Sequence, residues 1–442
     1  MTTLEAPPRT KRRVASVPSQ RRDDLHHDPW LVPLGEDFEA LVNEVFELME
    51  ASCPRPKRQR SDATQRRRDT LANVMANLAV LQSLGRNEAG IAISAKKTGT
   101  RVYINGKLRP TRYHRQAQPQ EVLLKVVDEM ESLGLITRQR GSRRGGRTTI
   151  WPTFSLARDL APGGVPLPLT RLPGAETVIL KAPEPTTNKR RHWEKKPKVL
   201  VEYEDTDETR LMRTEMAAIN TALGSVDIKF DGKQQPLVHL TRRFQIEHPQ
   251  DPPRFDRHGR LYDGFWEYLR KEQRGRITID SHPVAEADFS GFFVQACYAE
   301  AGIELPPGDP YSVDGLARED TKAAMSALLC KNGPMRQLPE SLEHLRLEGW
   351  TGRKVQEAMS RKHPAIAHLF GRGTGMKLMF IESSIMVEVL LRLISRGVVA
   401  LPLHDGLIAQ SKCIEECAAT MGEVSEHVLG KPLIVSIKNY VR

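Results

Sequence analysis

Two aspartates, an arginine–lysine pair and a histidine occupy positions where their types and spacing could do chemistry. Asp288 ends the alternating apolar run IDSHPVAEAD, after which FSGFFVQACYAEAG turns helical. Asp405 sits with His404 and Gly406 between the apolar runs VVALPL and LIAQ, as at the tip of a β-hairpin. A carboxylate at the end of a buried strand is costly unless it is paired or bound to a metal. Two of them brought together repel unless a divalent cation joins them. Two carboxylates bridging two Mg²⁺ ions are a kit for in-line nucleotidyl transfer. In REDTKAAMSALLCKNG, Arg318 and Lys322 stand one helical turn apart, a spacing that suits a triphosphate. Each segment alone also reads as a polar turn or a solvated helix face; order and context set them apart.

The elements that must position these residues form the second half of the chain. A helix is expected over 205–223. The order GRLY, then apolar strand–Asp288–x–Ser, then Arg318–x3–Lys322, then apolar–His404–Asp405–apolar resembles the palm of family A DNA polymerases and single-subunit phage-type RNA polymerases. The resemblance covers residues 205–442: 375–397 (GMKLMFIESSIMVEVLLRLISRG) looks like the long helix that precedes the His-Asp hairpin, and PLIVSIKNYVR like the closing strand of that palm. It implies that Asp288 and Asp405 bind two Mg²⁺ ions, with Mn²⁺ as a substitute, and that the Phe289 carbonyl is a further ligand. It implies that Arg318 and Lys322 grip the nucleotide, with Lys322 catalytic, that His404 lies near the primer end, and that Arg260 contacts the template–primer duplex.

The chain departs from that pattern in places. Cys330, Lys331, Asn332 and Gly333 stand where a Tyr-Gly is usual, Phe293 replaces the glutamate that screens the ribose, and Gly406 follows the His-Asp pair. Phe293 is then the expected nucleotide gate. Lys322 and Asp405 stand only 83 positions apart, so small fingers are expected. No phosphate-loop glycine motif, C-x-x-C pair or G-x-S-x-G elbow offers another chemistry.

The first half carries the charge. The chain has 442 residues and a net charge of +11; residues 1–160 hold 28 Lys/Arg against 18 Asp/Glu, and residues 51–120 alone hold 15 against 3. Such a field attracts a polyanion, by default nucleic acid. Residues 1–34 read as a disordered basic arm and 35–155 as a helical, winged-helix-like DNA-binding domain. Its expected helices are 36–52, 64–84 and 119–133, with a hairpin turning at Asn105 and Gly106 and a basic loop at 140–147. The stretch 64–155 resembles a winged-helix module, in which Arg138, Arg140, Arg143, Arg144 and Arg147 would meet DNA phosphates. Residues 156–204, rich in Pro and charge, read as a linker.

The fold expected is therefore α+β: a right-hand polymerase palm with small fingers, preceded by the winged-helix-like domain. The partners expected are DNA, as template–primer and as duplex, nucleoside triphosphates and replication partner proteins. Two other readings stay open at this level: a DNA-binding replication initiator whose palm no longer catalyses, and a winged-helix regulator with an unrelated second half. No run of 18 apolar residues suggests a membrane span, and the amino terminus has no apolar signal-like core. Five scattered cysteines point to a reducing, cytoplasmic setting, with Cys413 and Cys417 on one helix face rather than at a metal.

Overall fold

The computed structural model describes residues 24–52, 61–84, 89–94, 102–104, 107–115, 117–141, 148–183, 198–235 and 238–440. Residues 1–23, most of the linker at 53–63, the turn at Asn105 and Gly106, and Arg143, Arg144 and Arg147 lie outside the described residues. The architecture is α+β: helices packed against sheets that are almost wholly antiparallel.

In the first part, periodicity and structure agree closely. Phe38, Val42, Val45 and Met49 line the buried stripe of the helix Glu36–Ser52. It packs on the helix Ser61–Leu84, which in turn packs on Gln120–Ser132. The strands Ile136–Gln139 and Thr148–Pro152 form an antiparallel hairpin, and Ile91–Ile93 joins its far side.

Two stretches differ from expectation. Leu25–His26 pairs in parallel with Ile91–Ile93, and Leu31–Pro33 pairs with Leu169–Arg171, so residues 25–26 and 31–33 of the expected disordered arm are held in sheets. Asn73 and Asn77, buried on the helix Ser61–Leu84, reinforce this by hydrogen-bonding the backbone of Asp28 and Leu31. Within the expected linker, Val178–Pro183 is a strand whose alternate residues are buried. It pairs with Thr241–Gln245 and Lys198–Leu200 in a four-stranded sheet completed by His258–Tyr262. Apolar alternation in VILKAP outweighs the surrounding prolines and charges.

The last sheet is built around the strand His282–Phe289, which pairs with Ile277–Ile279, Gly406–Gln410 and Val435–Asn439, all antiparallel. Ala400–Leu403 completes the hairpin on Gly406–Gln410. The helix Gly375–Ser395 packs against the strand His258–Tyr262 and the helix Ile414–Leu429. Among the described residues no helix is long and apolar enough to cross a membrane. Cys297, Cys330, Cys413 and Cys417 are free thiols.

Candidate active site

Asp288 occupies the penultimate position of its strand, and the register pairs it with Gly406 on one side and Ser436 on the other. Leu403 pairs with Gly406, which leaves His404 and Asp405 as a two-residue hairpin turn. The N–H of Phe289 donates to the carbonyl of Asp405 at 3.0 Å, tying that turn to the end of the Asp288 strand. The chain then reverses into the helix Phe292–Glu300 through Gly291, whose φ of +81° suits a residue without a side chain.

The two carboxylates share an electrostatic problem. Burial raises the pKa of Asp288, and the charges of Asp405 and Glu286 raise it further, against Lys322 and Lys271. Burial likewise raises that of Asp405, against its own backbone N–H, Arg260 and Lys322. Among the described residues no side-chain hydrogen bond or ion pair reaches either carboxylate. An all-oxygen set without a directly bound cation among the described residues suits a hard divalent cation that keeps waters or substrate oxygens as its remaining ligands. No group of three or more His, Cys, Asp or Glu side chains among the described residues could hold a metal by itself. The Phe289 carbonyl already accepts the N–H of Gly291 at 2.7 Å, leaving it one lone pair.

His404 turns the hairpin with φ +50°, unusual for a residue with a side chain. Its ring meets the edge of Tyr262 at 5.4 Å. Burial, with Arg260 and Arg274 nearby, pushes the imidazole down to about 4, so it is neutral at physiological pH.

The cations divide. Lys322 is exposed on the helix Arg318–Cys330 and acts on both carboxylates. Arg318 is held by Asp309 at 2.7 Å and lies 5.4 Å from the ring centre of Tyr311. Arg260 is not free for a duplex. Its Nε and Nη2 fork onto Glu382 at 2.7 and 3.0 Å, and the guanidinium lies 5.8 Å from the ring centre of Phe293. Phe293 is half-buried at the start of its helix. Arg138 is likewise committed, to Asp128 at 2.6 Å and to Glu131, with a side chain only 8% exposed, so it does not present itself to phosphates. Arg140 is exposed.

Two carboxylates near this site escaped the sequence reading. Glu286 lies two residues before Asp288 and so on the same face of the strand; it accepts from the Tyr440 hydroxyl at 2.5 Å and pairs with Arg274 at 3.4 Å. Glu382 is 1% exposed, and burial pushes its carboxyl up against the pull of Arg260. Its signal was available: it stands on the buried helical stripe Leu378, Glu382, Met386, Val389, Leu393.

No protein-family model matches the chain, and no curated protein matches it. Among solved structures, it shows a weak likeness to the POL domain of Pol1 from M. smegmatis in complex with DNA primer-template and dNTP. That likeness has 11% identity and a TM-score of 0.29 over 52% of this chain, and spans 50% of the length of the other.

Proposed function

We propose that this protein is a template-dependent nucleotidyltransferase, a DNA polymerase or primase-like polymerase of a replication system, acting by a two-metal-ion mechanism. The observation that carries the reading is the junction of Asp288 and Asp405: adjacent strand ends, joined by a backbone hydrogen bond, with like charges that no side chain among the described residues pairs directly and with Lys322 acting on both. The surrounding antiparallel sheet is then the palm, residues 205–442, and the shorter elements after Lys322 are small fingers.

Asp288, Asp405 and the free lone pair of the Phe289 carbonyl would hold the ions. Two Mg²⁺, or Mn²⁺, when bound, lower the pKa of the attacking hydroxyl and stabilise the leaving phosphate oxygens. Lys322 meets the triphosphate as a point charge beside the transferring phosphorus. Arg318 reaches the outer phosphates by exchanging Asp309 for them. Phe293 stands beside the incoming sugar, with Arg260 and Glu382 fixing the wall behind it. The neutral His404 lies at the primer end. Residues 35–155 serve as the winged-helix-like DNA-binding domain, with Arg140 and the basic loop after it on duplex phosphates.

The test is extension of a labelled primer–template with dNTPs and, separately, NTPs, in Mg²⁺ and in Mn²⁺, by the wild-type protein and by Asp288→Asn. Metal-dependent extension by the wild type alone is the expected result. No extension under any condition overturns the reading.

A further inference from the structure

Next to Asp288 the last sheet carries a polar face. Directly opposite residues of paired strands project to the same side, and the register sets Ser436 against Asp288 and Lys438 against Glu286. These four side chains therefore share one face. Tyr440, just past the closing strand, fastens a second element to it. Its hydroxyl donates to Glu286 at 2.5 Å. Its ring lies on Gly275, where a Cβ would stand 2.7 Å from the tyrosine's Cβ and Cγ. Gly275 belongs to the 3₁₀ helix Lys271–Arg276, so the absent side chain is what lets that helix seat against the chain end.

Cations prevail along this seam. Glu286 is already matched, by Arg274 at 3.4 Å and by the Tyr440 hydroxyl. Lys438 is exposed, with its ammonium 4.9 Å from the centre of the Tyr440 ring. Lys271 is exposed at the start of the 3₁₀ helix, and its charge favours the ionised form of Asp288. Among the described residues neither lysine makes an ion pair. Arg274 also acts on His404, so the seam runs toward the hairpin turn. The helix bearing Lys322 and Arg318 is a separate element, so the carboxylates have a second source of positive charge. Two exposed lysines on different elements of an open face suit the spaced charges of a strand, since each can neutralise one phosphate.

We propose that Lys271 and Lys438 bind backbone phosphates of one nucleic-acid strand, the strand whose 3′ end lies at Asp288 and Asp405. Neither lysine belongs to the motifs that carry the family resemblance. Naming the strand rests on the reading of the two aspartates as the catalytic pair; the phosphate contacts themselves do not.

The experiment uses the full-length protein and a fluorescein-labelled DNA duplex with a recessed 3′ end, with binding read by fluorescence anisotropy across a salt series. Lys271→Ala and Lys438→Ala should each lower the slope of log affinity against log salt by about 0.9, the share of one phosphate. Lys271→Arg should keep the wild-type slope. In a second arm, single phosphates of the recessed strand are replaced by uncharged methylphosphonates, stepping back from the 3′ end. At one step the neutral linkage should weaken binding by the wild type but not by Lys271→Ala, and at another step but not by Lys438→Ala. Neutral linkages in the longer strand should weaken wild type and variants alike. Unchanged slopes in both variants, or equal losses at every step, overturn the proposal. So does a raised apparent nucleotide constant with an unchanged slope, which gives the lysines to the triphosphate. Binding needs no turnover, so the two readings fail separately. Coupling without extension by the wild type keeps the phosphate contacts and removes the catalytic pair; extension without coupling does the reverse.

Discussion

Gly406 lies directly across the ladder from Asp288, and a Cβ at position 406 would stand 2.9 Å from Asp288 Oδ1 and 2.7 Å from the carbonyl oxygen of Ala287. The glycine that departs from the resembled family's His-Asp-Glu pattern thus keeps the space in which the Asp288 carboxylate rests. Gly406→Ala forces either the strand or the carboxylate to move. It should cost about 1–3 kcal/mol in stability and lower nucleotide incorporation at least ~10-fold. Thermal melts and single-nucleotide incorporation check the two effects, and wild-type values for both would show that the contact is slack.

Asp288→Asn or Asp405→Asn should abolish incorporation, by at least ~10³ in rate, because metal stabilisation is worth several kcal/mol. Without divalent metal, the same variants should melt no lower than the wild type, since each removes a buried charge facing a like charge. Mg²⁺ should raise the melting temperature of the wild type and not of the variants. Duplex DNA binding should persist in both. Near-normal extension by either variant would sink the two-metal reading.

What could be read from the sequence was what local pattern encodes. The strand into Asp288, the hairpin around His404 and Asp405, and the helix bearing Arg318 and Lys322 all follow from periodicity within about a dozen residues. Partnerships across long separations could not be read. Arg260 and Glu382 are 122 positions apart, and Glu286 and Tyr440 are 154 apart. Their meeting depends on how the helix Gly375–Ser395 and the strand Val435–Asn439 dock, which no local period specifies. Arg138 shows the same limit on a shorter scale: its basic neighbours suggested a phosphate contact, yet Asp128 and Glu131 on the preceding helix take its guanidinium.

The fork of Arg260 onto Glu382 joins the strand His258–Tyr262 to the helix Gly375–Ser395. Glu382→Ala leaves a largely buried guanidinium uncompensated and should destabilise the protein by about 3–5 kcal/mol. Glu382→Gln keeps one acceptor and should cost less. Adding Arg260→Met to Glu382→Ala should restore much of the loss, because no buried charge then remains. Chemical denaturation of the two single variants and the double variant measures the coupling; additive losses would mean that the pair contributes nothing jointly.

His239 supplies a pH dependence. Burial first, and Arg171 second, push its imidazole down to about 4, against Asp28 and Asp263, which raise it. The unfolded chain takes up this proton near pH 6.5 and the folded one only near 4. Between those values the unfolded state binds more protons, so stability falls as pH drops from about 6.5 toward 4. Above 6.5 the group contributes no slope. His239→Gln should flatten the melting temperature against pH within that window and leave the neutral range unchanged. An identical slope in the variant would assign the acid sensitivity to other groups.

Lys322 and Arg318 share a helix face; among the described residues Arg318 pairs with Asp309 at 2.7 Å and with Glu319 at 3.7 Å, and Lys322 makes no ion pair. On the proposed reading Lys322 meets the transferring phosphoryl group, where negative charge develops. Lys322→Ala should therefore lower the catalytic rate by about 10²-fold, the usual effect of losing one preorganised charge contact, and raise the apparent nucleotide constant less. Arg318 must leave Asp309 before it can fork onto the outer phosphates. An exposed ion pair of this kind is worth about 1 kcal/mol or less, so the exchange is cheap but not free. Arg318→Ala should weaken nucleotide binding with little change in rate, and Asp309→Ala, which releases Arg318, should tighten it by up to about fivefold. Single-turnover kinetics across nucleotide concentrations separates these effects for each variant. Wild-type kinetics in Lys322→Ala would remove the phosphate grip from this helix, and weaker nucleotide binding in Asp309→Ala would show that Asp309 positions Arg318 for the nucleotide rather than competing for it.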